Sequence, residues 1–260
     1  MKTLAYVALS LLMFVALPFA RSADGLTFSK YAVAADHTDA SAAGAAILAA
    51  GGNAADAAAA TMLALGVASP TGSGLGGGGF ALYYRAKDKS LTFLDFRETA
   101  PAAASADMFR AREGETPEQA SERSRRGGLA IGVPGEPLGI AELVKRFGKK
   151  PLTEIVAPAE QLARGGFAVS DHTAKLSTMV RASNHDPLLL GVFGDAALAE
   201  KRATNPALAD TLKRFGREGP QLFYTGALSK QILATVKRHG GILSAQDLAG
   251  YRVRERAPLR

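Results

Sequence analysis

The chain has 260 residues, no cysteine, no tryptophan and a formal net charge of +7. Without cysteine, a disulfide framework, a thiol nucleophile and a thiolate metal site are all excluded, so stability has to come from packing. Lysines and arginines are scattered, and the one dense basic run, Glu122-Arg-Ser-Arg-Arg126, has no interleaved aromatics, which argues for a solvated loop and against nucleic-acid binding.

Residues 1–22 start with Lys2, continue as an apolar run from Leu4 to Phe19 and finish in small residues, with Ala20 and Ser22 ahead of Ala23. That order predicts a secretory signal peptide, with a retained signal anchor as the alternative. No later segment approaches the roughly 20 apolar residues that span a bilayer. The expectation is therefore an exported protein, periplasmic or secreted, without stable membrane insertion. Removing 22 residues from 260 leaves 238, enough for one large domain, and removing Lys2 and Arg21 lowers the charge of +7 to +5.

From Thr38 to Gly51 apolar residues recur at Ala43, Ala46, Ile47 and Ala50, a helical period with a glycine stop; His37-Thr38-Asp39 before it reads as a cap. Asn53 with Asp56 three residues on predicts a second capped helix over 54–67, apolar nearly all round and so buried. Ala68-Ser-Pro70 ends it. The stretch GSGLGGGGF, Gly72–Phe80, follows. It lacks the Lys and Ser/Thr of a phosphate loop and runs from helix into strand, the reverse of a dinucleotide fingerprint, which leaves close backbone approach as its reading. No cofactor is implied.

Residues 80–85 and 91–96 read as a hairpin of strands apolar on both faces, expected to be covered on both sides in a layered α/β core. Beyond Thr99 the chain reads as loop to residue 128, then as a short strand over 129–133, a helix over 136–147 with Pro137 in its first turn, and a helix over 157–164. Helices are predicted over 206–215, 226–239 and 245–250, the last capped by Ser244 and Asp247, and the final residues 252–260 alternate as a strand. The four histidines, His37, His172, His185 and His239, never fall at metal-ligand spacing and are read as structural or exposed.

One residue stands out chemically. Arg97 closes the second hairpin strand, and a guanidinium there can grip a ligand carboxylate through two parallel hydrogen bonds or pair internally with Asp95 or Glu98.

Five segments in order, Gly51-Gly-Asn-Ala-Ala-Asp-Ala-Ala58, Gly74-Leu-Gly-Gly-Gly-Gly-Phe80, Asp95-Phe-Arg-Glu-Thr-Ala-Pro101, Gly132-Val-Pro-Gly135 and Asp247-Leu-Ala-Gly-Tyr251, resemble the γ-glutamyltranspeptidase family over about 33–260. The resemblance implies an N-terminal-nucleophile hydrolase fold, an αββα four-layer sandwich of mixed α/β class, made as a precursor that cleaves itself into large and small subunits. It implies γ-glutamyl substrates such as glutathione, a threonine ester intermediate, and Arg97 as the anchor of the glutamyl α-carboxylate. It implies no catalytic residue in this chain, because none of its threonines fits the cleavage-site pattern, while the histidine spacing gives no metal ligand. Residues 23–260 then correspond to a partial large-subunit domain, incomplete at its C-terminus, whose partner is the missing small subunit or C-terminal continuation. Alone it is expected to be inactive and poorly soluble. The alternative is a non-catalytic exported binding protein for γ-glutamyl or other amino-acid-like ligands.

Overall fold

The computed structural model describes residues 27–183 and 191–259; the expected signal peptide and His185 lie outside the described residues. Two alanine-rich helices, α1 (Thr38–Ala49) and α2 (Ala54–Ala68), pack directly on one another. Small side chains permit that approach, and α2 is buried on nearly every side, with Ala59, Ala60, Ala64 and Ala68 fully inaccessible. Its start is fixed by a reciprocal cap: the Asn53 side chain accepts from Asp56 N, and Asp56 Oδ2 accepts from Asn53 N at 2.9 Å. Asp56 is itself buried, and Lys149 N–H also donates to it at 3.0 Å, so the cap also ties down the chain that leaves helix α4 (Glu136–Phe147).

Helix α3 (Pro117–Arg123) precedes α4, and α5 (Leu152–Gly165) follows it. The α5 helix begins five residues earlier than the sequence suggests and carries Pro158 inside it. Proline there removes one backbone hydrogen bond, but Ile155, Val156, Ala159 and Ala163 bury against α2 and the later helix α8 (Pro206–Glu218), and that packing outweighs the loss. A two-stranded ribbon, β3 (Phe167–Ala168) with β4 (Arg202–Ala203), and the helices α6 (Asp171–Ser183), α7 (Asp195–Ala199) and α9 (Gln221–Tyr224) add elements that periodicity does not reveal. Helices α10 (Ala227–Arg238) and α11 (Ala245–Gly250) lie where the sequence places them.

The main sheet holds β1 (Gly79–Arg85), β2 (Ser90–Phe96) and β5 (Arg254–Arg256), antiparallel in the order β1-β2-β5. Its inner face, with Ala81, Tyr83, Leu94, Phe96 and Val253, packs on Ala55 of α2 and Leu143 of α4. The outer face corrects the expectation of two covered faces. Phe80 is 55% exposed, Leu82 61%, Tyr84 58% and Leu91 45%, because the helices cover one side and no described element covers the other. The segment read as a strand over 129–133 is likewise a 3-10 turn at Gly128–Ala130 and a single bridge from Val133 to Thr99. Gly128 N–H is taken by His239 O at 3.0 Å, which draws this segment to the end of α10 instead of into a ladder.

Phe96 is fully buried where sheet, α2 and α4 meet. Phe96→Ala should lower the unfolding free energy by about 3 kcal/mol or more, read from urea denaturation; a loss below about 1 kcal/mol would show that the sheet is not anchored there.

Candidate functional site

Strand alternation decides what the end of β2 presents. Leu94 and Phe96 point into the core, so Asp95 and Arg97 face outward. Asp95 Oδ1 accepts from Arg97 N at 3.0 Å, while its Oδ2 pairs with the guanidinium of Arg256 across the β2–β5 ladder. Partial burial works against ionisation of Asp95, but the Arg97 N–H and the Arg256 guanidinium hold its carboxyl below the usual range. Of the two internal partners considered for the Arg97 side chain, the structure selects Glu98, with Nε 3.1 Å from Oε2. The contact is an ion pair without hydrogen-bond geometry, and the Arg97 side chain remains 66% exposed.

The backbone around Arg97 is held from below. Tyr251 donates its hydroxyl to Arg97 O at 2.9 Å and stacks on Tyr224, with ring centroids 5.8 Å apart and planes 11° from parallel. Tyr224 in turn donates to Pro134 O at 2.8 Å. Burial, joined by the charges of Asp95 and Glu98, pushes the Tyr251 phenol up to about 12, so it stays a donor over the physiological range. Five residues further along, Asp247 accepts from Ala102 N at 2.8 Å. The segment 97–102 is thus fixed near both ends by α11 and the residue after it.

Facing Arg97 is the glycine turn. Gly77 N–H donates to Gly74 O at 2.9 Å, and Gly77 O accepts from Gly135 N at 2.8 Å and Glu136 N at 2.9 Å. Glycine is required at Gly78 and Gly135, where a Cβ would run into the Phe96 carbonyl. This sharpens the reading of GSGLGGGGF: the turn packs backbone on backbone beside the end of β2. Arg97, Glu98, Glu136 and the glycines at 66, 72, 74 and 76–78 line a cleft of about 540 Å³.

Glu136 is the residue that sequence reasoning missed. It is 4% exposed, its Oε2 accepts weakly from Gly74 N at 3.4 Å, and its Oε1 has no hydrogen bond among the described residues. Burial pushes its carboxyl up to about 7, the Gly74 N–H opposes this and the Glu98 charge adds to it. In the sequence it is simply an acid in the first turn of a helix, an ordinary surface pattern. His37, by contrast, is structural as expected, its Nε2 3.0 Å from Ala168 O, and His172 and His239 are exposed. The cleft combines a guanidinium suited to a carboxylate with a donor-rich glycine backbone. Among the described residues lining it, Ser73 carries the one hydroxyl and no histidine or lysine stands beside it as a base.

The family model for gamma-glutamyltranspeptidase matches residues 40–260. Glutathione hydrolase 3 of Arabidopsis thaliana is 40% identical over 226 residues, 85% of this chain and 34% of its own length. The glutathione hydrolase proenzyme of Pseudomonas aeruginosa is 39% identical over 239 residues, 92% of this chain and 42% of its own. Among solved structures, the gamma-glutamyltranspeptidase from Pseudomonas nitroreducens complexed with L-DON superposes with a TM-score of 0.81 at 36% identity, over 89% of this chain and 68% of that one. The gamma-glutamyltranspeptidase of Helicobacter pylori gives 0.82 at 33% identity, over 90% and 68%. The chain spans about a third to two fifths of the length of these curated relatives.

Burial pushes the Glu136 carboxyl up to about 7, from the 4.5 of an unperturbed glutamate. It therefore favours the folded state fully below about pH 4.5, and that contribution is lost as pH rises through 7. Urea midpoints between pH 4.5 and 8 should fall by an amount equivalent to about 3 kcal/mol, and Glu136→Gln should flatten that part of the curve; an unchanged slope in the variant would remove Glu136 as its source.

Proposed function

The chain belongs to the γ-glutamyltranspeptidase family, and from that premise we propose that it is the N-terminal portion of an exported γ-glutamyltransferase and glutathione hydrolase precursor. In this reading Arg97 holds the α-carboxylate of the γ-glutamyl donor. The supporting observation is its placement: an exposed guanidinium over a glycine-lined cleft, on a backbone braced by Tyr251. The braced backbone fixes the point from which the guanidinium is presented, and the exposed side chain is able to meet a carboxylate bidentately.

The bond-making group comes from outside this chain. A threonine at the start of the small subunit attacks the γ-carbonyl carbon, and its own α-amine takes the hydroxyl proton. The tetrahedral centre collapses with departure of the protonated amine, cysteinylglycine when the donor is glutathione, to leave a γ-glutamyl ester. Water or an amino acid then attacks that ester, restoring the hydroxyl and releasing glutamate or a new γ-glutamyl amide. The role of the present chain is to orient the donor, so that its loss should appear mainly in binding.

The exposed outer face of the sheet supports a second sheet stacked on it, completing the αββα arrangement. Leu82, Tyr84 and Leu91, on the part of that face farther from Arg97, form an apolar surface of the kind that one sheet buries against another, while Phe80 lines the cleft beside Asp95 and Arg254. Residues 1–22 serve as the signal peptide that takes the precursor to the periplasm or the exterior.

In the complete precursor, Arg97→Ala should raise KM for a γ-glutamyl anilide by about 10- to 100-fold, the worth of a charge-assisted pair, with kcat changed far less; Arg97→Lys should recover little of the loss. Residues 23–260 alone should release no amine from the same substrate. Glutamate or glutathione binding by that chain, measured calorimetrically and abolished by Arg97→Ala, would instead favour a binding protein. Leu82→Glu should keep the isolated chain monomeric in light scattering and hinder maturation of the precursor; a precursor that matures normally would rule out a sheet on this face.

A further inference from the structure

Beside the glycine cleft, and sharing Arg97 and Glu98 with it, lies a smaller one of about 240 Å³. Its lining carries four guanidinium groups, Arg97, Arg252, Arg254 and Arg256, against two carboxylates, Asp95 and Glu98. Both carboxylates are engaged: Glu98 with Arg97, and Asp95 with Arg256. Arg252 spends its guanidinium on the carbonyls of Ala249 at 2.8 Å and Tyr251 at 2.7 Å. The Arg254 side chain is exposed and makes no hydrogen bond or ion pair among the described residues, although its charge is felt by Asp95 and Tyr251. The wall of this cleft therefore holds more positive charge than it neutralises, beside the residue assigned to the donor carboxylate.

We propose that Arg254 binds a second carboxylate, the one at the far end of the leaving group, so that this protein prefers γ-glutamyl peptides with an anionic C-terminus over neutral γ-glutamyl amides. The inference rests on the function proposed above. Arg254 sits opposite Asp95 in the β2–β5 register, and Asp95 lies two residues before Arg97 on the same face. Two residues along a strand and one strand across separate the Arg97 and Arg254 backbones by about 8 Å. A tripeptide-length ligand extends about 10 Å, and two long side chains leaning apart cover that difference. An exposed cation paired with an anion in water contributes modestly, which makes it a device for choosing among substrates and leaves the main hold on the donor to Arg97.

The test compares glutathione with its C-terminal carboxamide, which differ in that one charge, as substrates of the complete precursor. The wild-type protein should show a higher kcat/KM for glutathione, expressed in KM, and the preference should shrink as sodium chloride is raised. Arg254→Gln should reduce the preference about two- to fivefold, chiefly through a higher KM for glutathione, and Arg254→Lys should restore most of it. Equal kcat/KM for the two substrates, a preference indifferent to salt, or an equal loss on both in Arg254→Gln would overturn the proposal while leaving γ-glutamyl transfer intact. If neither substrate is cleaved, the function reading fails and this inference with it. Should Arg254→Gln fail to fold, the wild-type preference and its salt dependence decide the matter.

Discussion

The end of β2 is approached closely by glycine backbone at two points, and the geometry of the candidate site depends on that. Gly78 and Gly135 both lie so close to the Phe96 carbonyl that a Cβ at either would run into it, while the Phe96 ring is sealed under α2 and α4. With Phe96 fixed inward, alternation sends Arg97 outward and leaves Glu98 beside the glycine turn. No side chain larger than hydrogen fits at the two contact points. The glycines thus set the direction in which the arginine leaves the strand.

A second layer of fixation comes from distant parts of the chain. Residues 134–136, 224 and 247–251 reach the 97–102 segment through the tyrosine stack, the Gly77 carbonyl and Asp247. Four of the five ordered segments that carry the family resemblance therefore converge on a small region around Arg97. The remaining one, at 51–58, caps α2 and holds the chain after α4 through Asp56. It supports the site by fixing the helices on which the sheet rests.

Much of this was legible in the sequence where local chemistry dominates. The Asn53 and Ser244 caps, the periodicity of α1, the apolar run of α2 and the existence of the hairpin all depend on residues close together in the chain, and so does the position of Arg97 at a strand end. What escaped depends on contacts across the fold. Nothing local distinguishes Glu136, buried with an unpaired oxygen, from an acid favouring a helix N-terminus in water. The start of α5 was misplaced because proline in a helix is normally decisive, and only the burial of Ile155 and Val156 overrides it. The outer face of the hairpin was expected to be covered because its residues are apolar, but composition does not say which molecule or segment does the covering.

The stacked Tyr224–Tyr251 pair also has an optical consequence. The chain has no tryptophan and six tyrosines, so its near-ultraviolet spectrum is carried by a few phenol rings without indole background. Two of those rings are held nearly parallel, and one touches the backbone of Arg97. Their coupled absorption and circular dichroism should register any shift of the strand end that carries the guanidinium. The fold therefore contains a label-free gauge of the cleft beside Arg97.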